Sequence, residues 1–185
     1  MKTIASYIIF GTMALTVASC SDGWLDVEPS TAVETDKSIN ELSDVNIMLN
    51  GIYTTMQDAY AYSGRLVYYG DACGDDMMAY SSTKRTGNYY TFNFTKDTAP
   101  STFWSYPYKM IGLCNIILAK IDNLETKETE LRDYYKGQAL ALRAMLLFDL
   151  TKFYGYPYKK DNGASLAVPI VTTVLDKEAN PKRNT

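Results

Sequence analysis

From Tyr134 to Tyr158 the chain reads YYKGQALALRAMLLFDLTKFYGYPY, a run that leaves almost no face of a helix without an apolar residue. Leu140, Leu142, Met145, Leu146, Leu147, Phe148 and Leu150 point in all directions, whereas a surface helix shows a single stripe at i, i+3, i+4 and i+7. The run therefore predicts a core helix enclosed by other helices. A bilayer span needs roughly 20 mostly uncharged residues, and Arg143 and Asp149 interrupt the run well short of that. Arg143 has Ala139 four residues before it and Leu147 four after, and neither can pair with it. An enclosed charge without a partner is very costly, so an acid from elsewhere, Asp26, Glu28, Asp71 or Asp75, is expected to reach it. The helix is expected to stop near Tyr154-Gly155, with Gly155 in a left-handed cap and Pro157 forbidding continuation.

Two further helices are legible from spacing. Leu42, Val45, Leu49, Ile52, Tyr53 and Met56 recur every three or four residues and predict an amphipathic helix over 38–57. Trp104, Tyr108, Ile111, Cys114, Leu118 and Ile121 do the same after Pro100 and Ser101. Pro107 belongs near a first turn, so the regular part of this second helix is expected to begin a few residues after Ser101. Between them, 64–98 carries turn signals at Gly70, Gly74, Gly87 and Asn88, with TFNF at 91–94 as its one alternating run, and predicts a long loop holding a short hairpin at most. Leu166 to Val171 reads as a short extended segment.

Composition narrows the function. The 185 residues include no histidine, which removes the commonest general base and zinc ligand and with them Ser-His-Asp and Cys-His triads. A net charge of −3 without a basic cluster argues against a nucleic-acid partner. Sixteen tyrosines against 6 phenylalanines and 2 tryptophans favour rings with a polar tip, suited to wet, stacked surfaces.

The N-terminus, MKTIASYIIFGTMALTVASC, has a cation, an apolar run and small residues before Cys20, the layout of a secretory signal. Val17-Ala18-Ser19-Cys20 resembles a bacterial lipobox, which implies a signal peptide over 1–19, a mature region over 20–185, and Cys20 as a lipid-modified terminus anchoring the protein to a membrane. Cys73 and Cys114 remain; a bridge between them is open, with buried free thiols as the alternative.

Further motifs carry a family resemblance. Trp24-Leu25-Asp26 with Pro29 follow Cys20; Gly70-Asp71 precedes the loop; Trp104, Tyr108, Ile111 and Asn115 lie in the second helix; Gly137-Gln138-Ala139 and Leu142-Arg143-Ala144 lie in the third; Tyr154-Gly155, Pro157 and Leu166-Ala167-Val168-Pro169-Ile170 follow. Together these resemble the SusD/RagB family of outer-membrane nutrient-binding lipoproteins, with Gln138 departing from the family's usual glutamate. The resemblance implies a mainly α fold of tetratricopeptide-like helix pairs with long aromatic-rich loops. It also implies a non-catalytic, cell-surface glycan-binding protein working with a TonB-dependent, SusC-like transporter, without cofactor or metal. Family members continue well beyond this length, so the helix faces are expected to lack some of their covers, and Pro181 to Thr185 resembles the lead-in to a further helix.

The candidate ligand surface is the loop 71–94, where Tyr80, Tyr89 and Tyr90 offer rings and Arg85 and Asn88 offer donors. Packing of these tyrosines onto the helices is the competing reading. A surface glycoside hydrolase would need two carboxylates about 5 to 10 Å apart, for which Asp71, Asp75 and Asp76 are the dense candidates. The run DACGDD lacks the alternating ligands of a calcium loop. A structural or adhesive surface protein is the remaining alternative.

Overall fold

The computed structural model describes residues 38–185 except 75, 82–86, 96, 99 and 177, and Ile39–Thr185 forms one compact unit. Cys20, Trp24, Leu25, Asp26 and Glu28 lie outside the described residues. The fold is helical: α1 is Leu42–Met56, α2 Arg65–Cys73, α3 the single turn Gly87–Tyr90, α4 Thr102–Lys120 and α5 Thr129–Tyr154, with one-turn 3-10 segments at Ile121–Asn123 and Tyr158–Lys160.

Helix α1 starts where Asp44 turns its carboxylate back to accept the backbone N–H groups of Asn40 (2.8 Å) and Glu41 (3.1 Å), relieving two donors left unpaired at the helix start. Its spacing buries Leu42, Val45, Leu49 and Ile52. They meet Met110, Ile111, Cys114 and Ile117 of α4 and Ala139, Leu142, Leu146 and Leu150 of α5, so one core joins the three long helices. Each buried Leu, Ile, Val or Met side chain among them contributes about 2 kcal/mol of transfer free energy. Helix α4 begins at Thr102 and runs straight through Pro107, which is buried. The regular helix thus starts earlier than the proline suggests: the ring is held in the core, and the Phe103 carbonyl forgoes its i+4 donor.

The segment 166–173 is extended, as its sequence predicts, and lies across α4 and α5, burying Val168 and Val171. Tyr108 Oη donates to the Pro169 carbonyl at 2.8 Å. The C-terminal stretch pairs with it: Ala167 N donates to Asn184 O (2.6 Å), Asn184 N to Val168 O (3.3 Å) and Ile170 N to Asn184 Oδ1 (2.9 Å). Arg183 reaches over the same segment to the Tyr154 carbonyl at 3.0 Å and to that of Ala167, and so satisfies the last turn of α5. Gly155 closes that helix at φ −97°, not in the left-handed region. Glycine is needed there for room, because a Cβ would sit 2.7 Å from the Thr151 carbonyl oxygen.

Two expectations for α5 are corrected. Among the described residues the helix is covered on one side: the stripe Ala139, Leu142, Leu146 and Leu150 is buried, while Leu140, Met145 and Phe148 are exposed, Phe148 at 65%. Helices α1 and α4 and the extended segment all pack on one side. Nor does an acid pair with Arg143 among the described residues, outside which Asp26, Glu28 and Asp75 lie: its Nη1 donates to Asn115 Oδ1 (2.9 Å) and to the Thr172 carbonyl (3.0 Å). Neutral acceptors serve because Arg143 is only half-buried and keeps part of its hydration. Gln138 Oε1 accepts a hydrogen bond from the Tyr53 hydroxyl at 2.8 Å, a contact that needs an acceptor but no charge.

Cys73 and Cys114 are both free. Burial pushes the Cys114 thiol up to about 11, partly offset by Arg143 nearby. Thiolate is the reactive form, so in native protein at pH 8 iodoacetamide is expected to label Cys73 well before Cys114, and both at once in denaturant. Equal native rates would contradict this packing.

Candidate functional site

The aromatic residues converge on one end of the helix array, where α4 begins and α5 ends. Tyr69 of α2 is the hub: its ring lies edge-on to Tyr89 (5.2 Å between centroids), Phe103 (5.2 Å) and Phe153 (5.6 Å), with Phe94 at 6.3 Å. Edge-to-face rings at such separations add to the area they bury. One cluster therefore ties α2, α3, the following turn, α4 and α5 together. Trp104 and Tyr154 extend it, edge-on at 4.9 Å, and the Tyr154 hydroxyl, pushed up to about 12 by burial, donates to the Pro100 carbonyl at 3.4 Å.

The described residues of 64–98 are thus more regular than their turn signals suggest. It contains α2 and the turn α3, and TFNF at 91–94 forms a tight turn without a hairpin ladder. Backbone N–H groups of Thr91 and Asn93 donate to the carbonyls of Gly87 (3.0 Å) and Asn88 (2.9 Å). Thr98 Oγ1 donates to Asn93 O at 2.7 Å and accepts from Thr95 N at 2.7 Å. At the apex Phe92 takes φ +53°, a conformation a bulky side chain adopts only where its surroundings hold it.

This turn sorts the candidate residues by face. Tyr89 points inward and is 4% exposed, so it is a packing residue and not a free ring. Tyr90 and Phe92 point outward, Phe92 at 66%, and Phe94 bridges the two sides, 6.4 Å from Phe92. Tyr80 is fully exposed and Asn88 half-buried; Arg85 lies outside the described residues. Phe92 was not legible as a site residue, since nothing in NYYTFNF distinguishes which ring is turned out.

A cation also meets these rings. Arg65, the first residue of α2, holds its guanidinium carbon 4.2 Å from the centroid of Tyr60. Burial raises the Tyr89 hydroxyl pKa, and the neighbouring Arg65 charge pulls it the other way. Of the acids singled out for hydrolysis, Asp71 and Asp76 are exposed and Asp75 lies outside the described residues. Among the described residues no group of three His, Cys, Asp or Glu is placed to hold a metal ion, and no helix is long and apolar enough to cross a membrane.

Comparison with known proteins agrees with this architecture. Solved relatives share it: a protein of Bacteroides vulgatus described as sugar-binding is 61% identical with a TM-score of 0.75, covering 80% of this chain and 34% of its own. A SusD superfamily protein of Bacteroides thetaiotaomicron is 32% identical with a TM-score of 0.69, over 79% and 33%. A SusD-like protein of Formosa agariphila is 24% identical over 145 residues, 77% of this chain and 28% of that one. The chain thus spans about a third of the length of these relatives. Residues 23–185 match a family described as SusD-like, starch-binding and associating with the outer membrane. With that match running through the helices, the aromatic end and the extended segment alike, the chain belongs to the SusD-like family.

Proposed function

We propose that this protein captures oligosaccharides at the cell surface and that the turn 87–95 forms part of the capture surface. The observation that carries this reading is the outward display of Tyr90 and Phe92 on a turn packed from beneath through Tyr89. Sugars present weakly apolar C–H faces rimmed by hydroxyls, so a fixed ring stacks on the face while amide and cationic donors take the rim. Fixing the ring in advance lowers the entropy lost on binding. Tyr80, Arg85 and Asn88 belong to the same surface in this proposal. Binding without bond cleavage fits a family of sugar-binding proteins.

The test is a titration of the mature protein with a panel of oligosaccharides, repeated with Tyr90→Ala and Phe92→Ala. Affinity is expected to fall by about 1 to 3 kcal/mol per ring, by analogy with base stacking, with Tm nearly unchanged. Unchanged affinity would move the site elsewhere. Shortening of the oligosaccharide on incubation would favour the hydrolase reading, and silence across the panel the adhesive one.

Anchoring and delivery complete the proposal. Acyl chains on Cys20 hold the protein to the outer membrane, and a TonB-dependent transporter receives the ligand. Cys20→Ala is expected to leave the protein in the soluble fraction after carbonate washing; continued membrane association would place the anchor elsewhere. Co-purification of a TonB-dependent transporter with the detergent-extracted wild-type protein is the corresponding check on the partner.

A further inference from the structure

The display of rings does not stop at Tyr154. Where α5 ends, the chain passes through Gly155 into the loop 156–165, whose first three residues, Tyr156-Pro157-Tyr158, turn two rings outward at 61% and 72% exposure. A single exposed tyrosine needs no explanation. Two within three residues do, because the loop that carries them is shaped by its own hydrogen bonds and not by burying the rings. Lys160 N donates to the Pro157 carbonyl at 2.9 Å and closes the one-turn segment Tyr158–Lys160. Asp161 Oδ1 accepts from Gly163 N (3.1 Å) and Ala164 N (3.0 Å), and its Oδ2 accepts from the Ser165 hydroxyl. Gly163 takes φ +82°, and a Cβ there would stand 3.1 Å from the Tyr158 ring, so the glycine lets one edge of that ring lie close to the backbone while the rest faces solvent.

The same loop carries a hydrogen-bond donor set by one of these rings. Lys160 holds its Nζ 3.1 Å from the centroid of Tyr156, and among the described residues it makes no ion pair, the Asp161 carboxylate being taken up inside the loop. An ammonium resting on a ring is placed by that ring and keeps N–H groups for outside acceptors. Tyr156, Tyr158 and Lys160 follow one another at intervals of two residues, each interval spanning at most about 7 Å, so a single oligosaccharide can reach all three. Ring faces suit the C–H surface of a sugar and an ammonium suits its hydroxyls.

We infer that the loop 156–163 is a second carbohydrate-binding surface, in which the ring of Tyr158 stacks on a sugar and the Lys160 ammonium, seated on Tyr156, donates to sugar hydroxyls. This rests on the glycan-binding reading above and adds to it a site on a different segment from the turn 87–95.

The experiment is a calorimetric titration with maltoheptaose, xylohexaose and mannohexaose. Each is added to the mature protein, to Tyr156→Ala/Tyr158→Ala, to Tyr90→Ala/Phe92→Ala and to the variant carrying all four changes. At least one glycan is expected to keep binding when Tyr90 and Phe92 are replaced, and the two loop substitutions are then expected to weaken that remaining binding about tenfold or more. In the same background Lys160→Gln is expected to weaken it about threefold or more, and Lys160→Arg to restore part of the loss. The loop variant is expected to melt as the wild type does, since exposed rings contribute little to folding. Binding that survives the loss of Tyr156 and Tyr158 unchanged in both backgrounds overturns the inference and leaves capture at the turn standing. Abolition of all binding by the turn substitutions alone does the same, and so does a loss in the loop variant that merely follows a lowered Tm. Loss through the loop substitutions with none through the turn substitutions keeps the loop site and removes the turn. Failure of all three glycans to bind the wild type overturns both.

Discussion

Replacing Asn115 with Leu is expected to destabilise the protein by about 3 kcal/mol, read as a shift of the urea midpoint at constant m-value. Asn115 is 1% exposed and uses both ends of its amide. Nδ2 donates to the carbonyls of Val171 (3.2 Å) and Thr173 (2.9 Å), and Oδ1 accepts from Arg143 at 2.9 Å. Leucine fills a similar volume but removes all three bonds and leaves two carbonyls and a half-buried guanidinium underserved. Asn115→Asp provides the control. It keeps the acceptor, now charged, for Arg143, but turns a carboxylate oxygen toward two carbonyl oxygens, so it is expected to remain well below wild type. Recovery of wild-type stability by aspartate would show that only the Arg143 contact matters. A loss under 1 kcal/mol for leucine would show that the extended segment is held by Val168 and Val171 alone.

Tyr89→Ala is expected to cost about 3 kcal/mol, as for other large buried side chains cut to alanine, and to lower Tm by roughly 10 °C in a chain of this size. The ring packs edge-on to Tyr69 at 5.2 Å and stacks on Phe94 at 6.1 Å, so its loss opens a cavity at the point where the turn 87–95 meets the helices. Phe92→Ala, close by in sequence but on the outer face, is expected to leave Tm within about 1 °C, because exposed rings contribute little to folding. The contrast between the two is the measurement. Equal thermal effects would mean that Phe92 is also packed, and loss of glycan binding in Tyr89→Ala is expected only to the degree that the turn unfolds.

Three helices were legible in the sequence because their register is a local property. The period that placed Leu42, Val45, Leu49 and Ile52 on one side of α1 is the stripe that is buried, and the helical runs through Cys114 and Leu146 hold in the same way. The extended character of 166–171 was legible too, from β-branched residues around Pro169. Helix α2 was not: Gly70 and Gly74 read as turns, and its tyrosines give no clear stripe, since its packing is aromatic and made with four other elements. Whether α5 is covered on one side or all round is likewise beyond a periodicity argument, because an apolar residue carries no information on which neighbour reaches it. Arg143 shows the same limit. Its need for a partner follows from its place in an apolar helix, but the partner, an amide on α4 and a carbonyl of the extended segment, is brought near by contacts 28 and 29 residues apart in sequence. At the candidate site the loop and its residue types came from the chain alone, while the tertiary structure decided that Tyr89 faces in, that Phe92 faces out, and that Arg65 lies on Tyr60. Those choices depend on which rings fill the space around Tyr69, and that space exists only once the helices have packed.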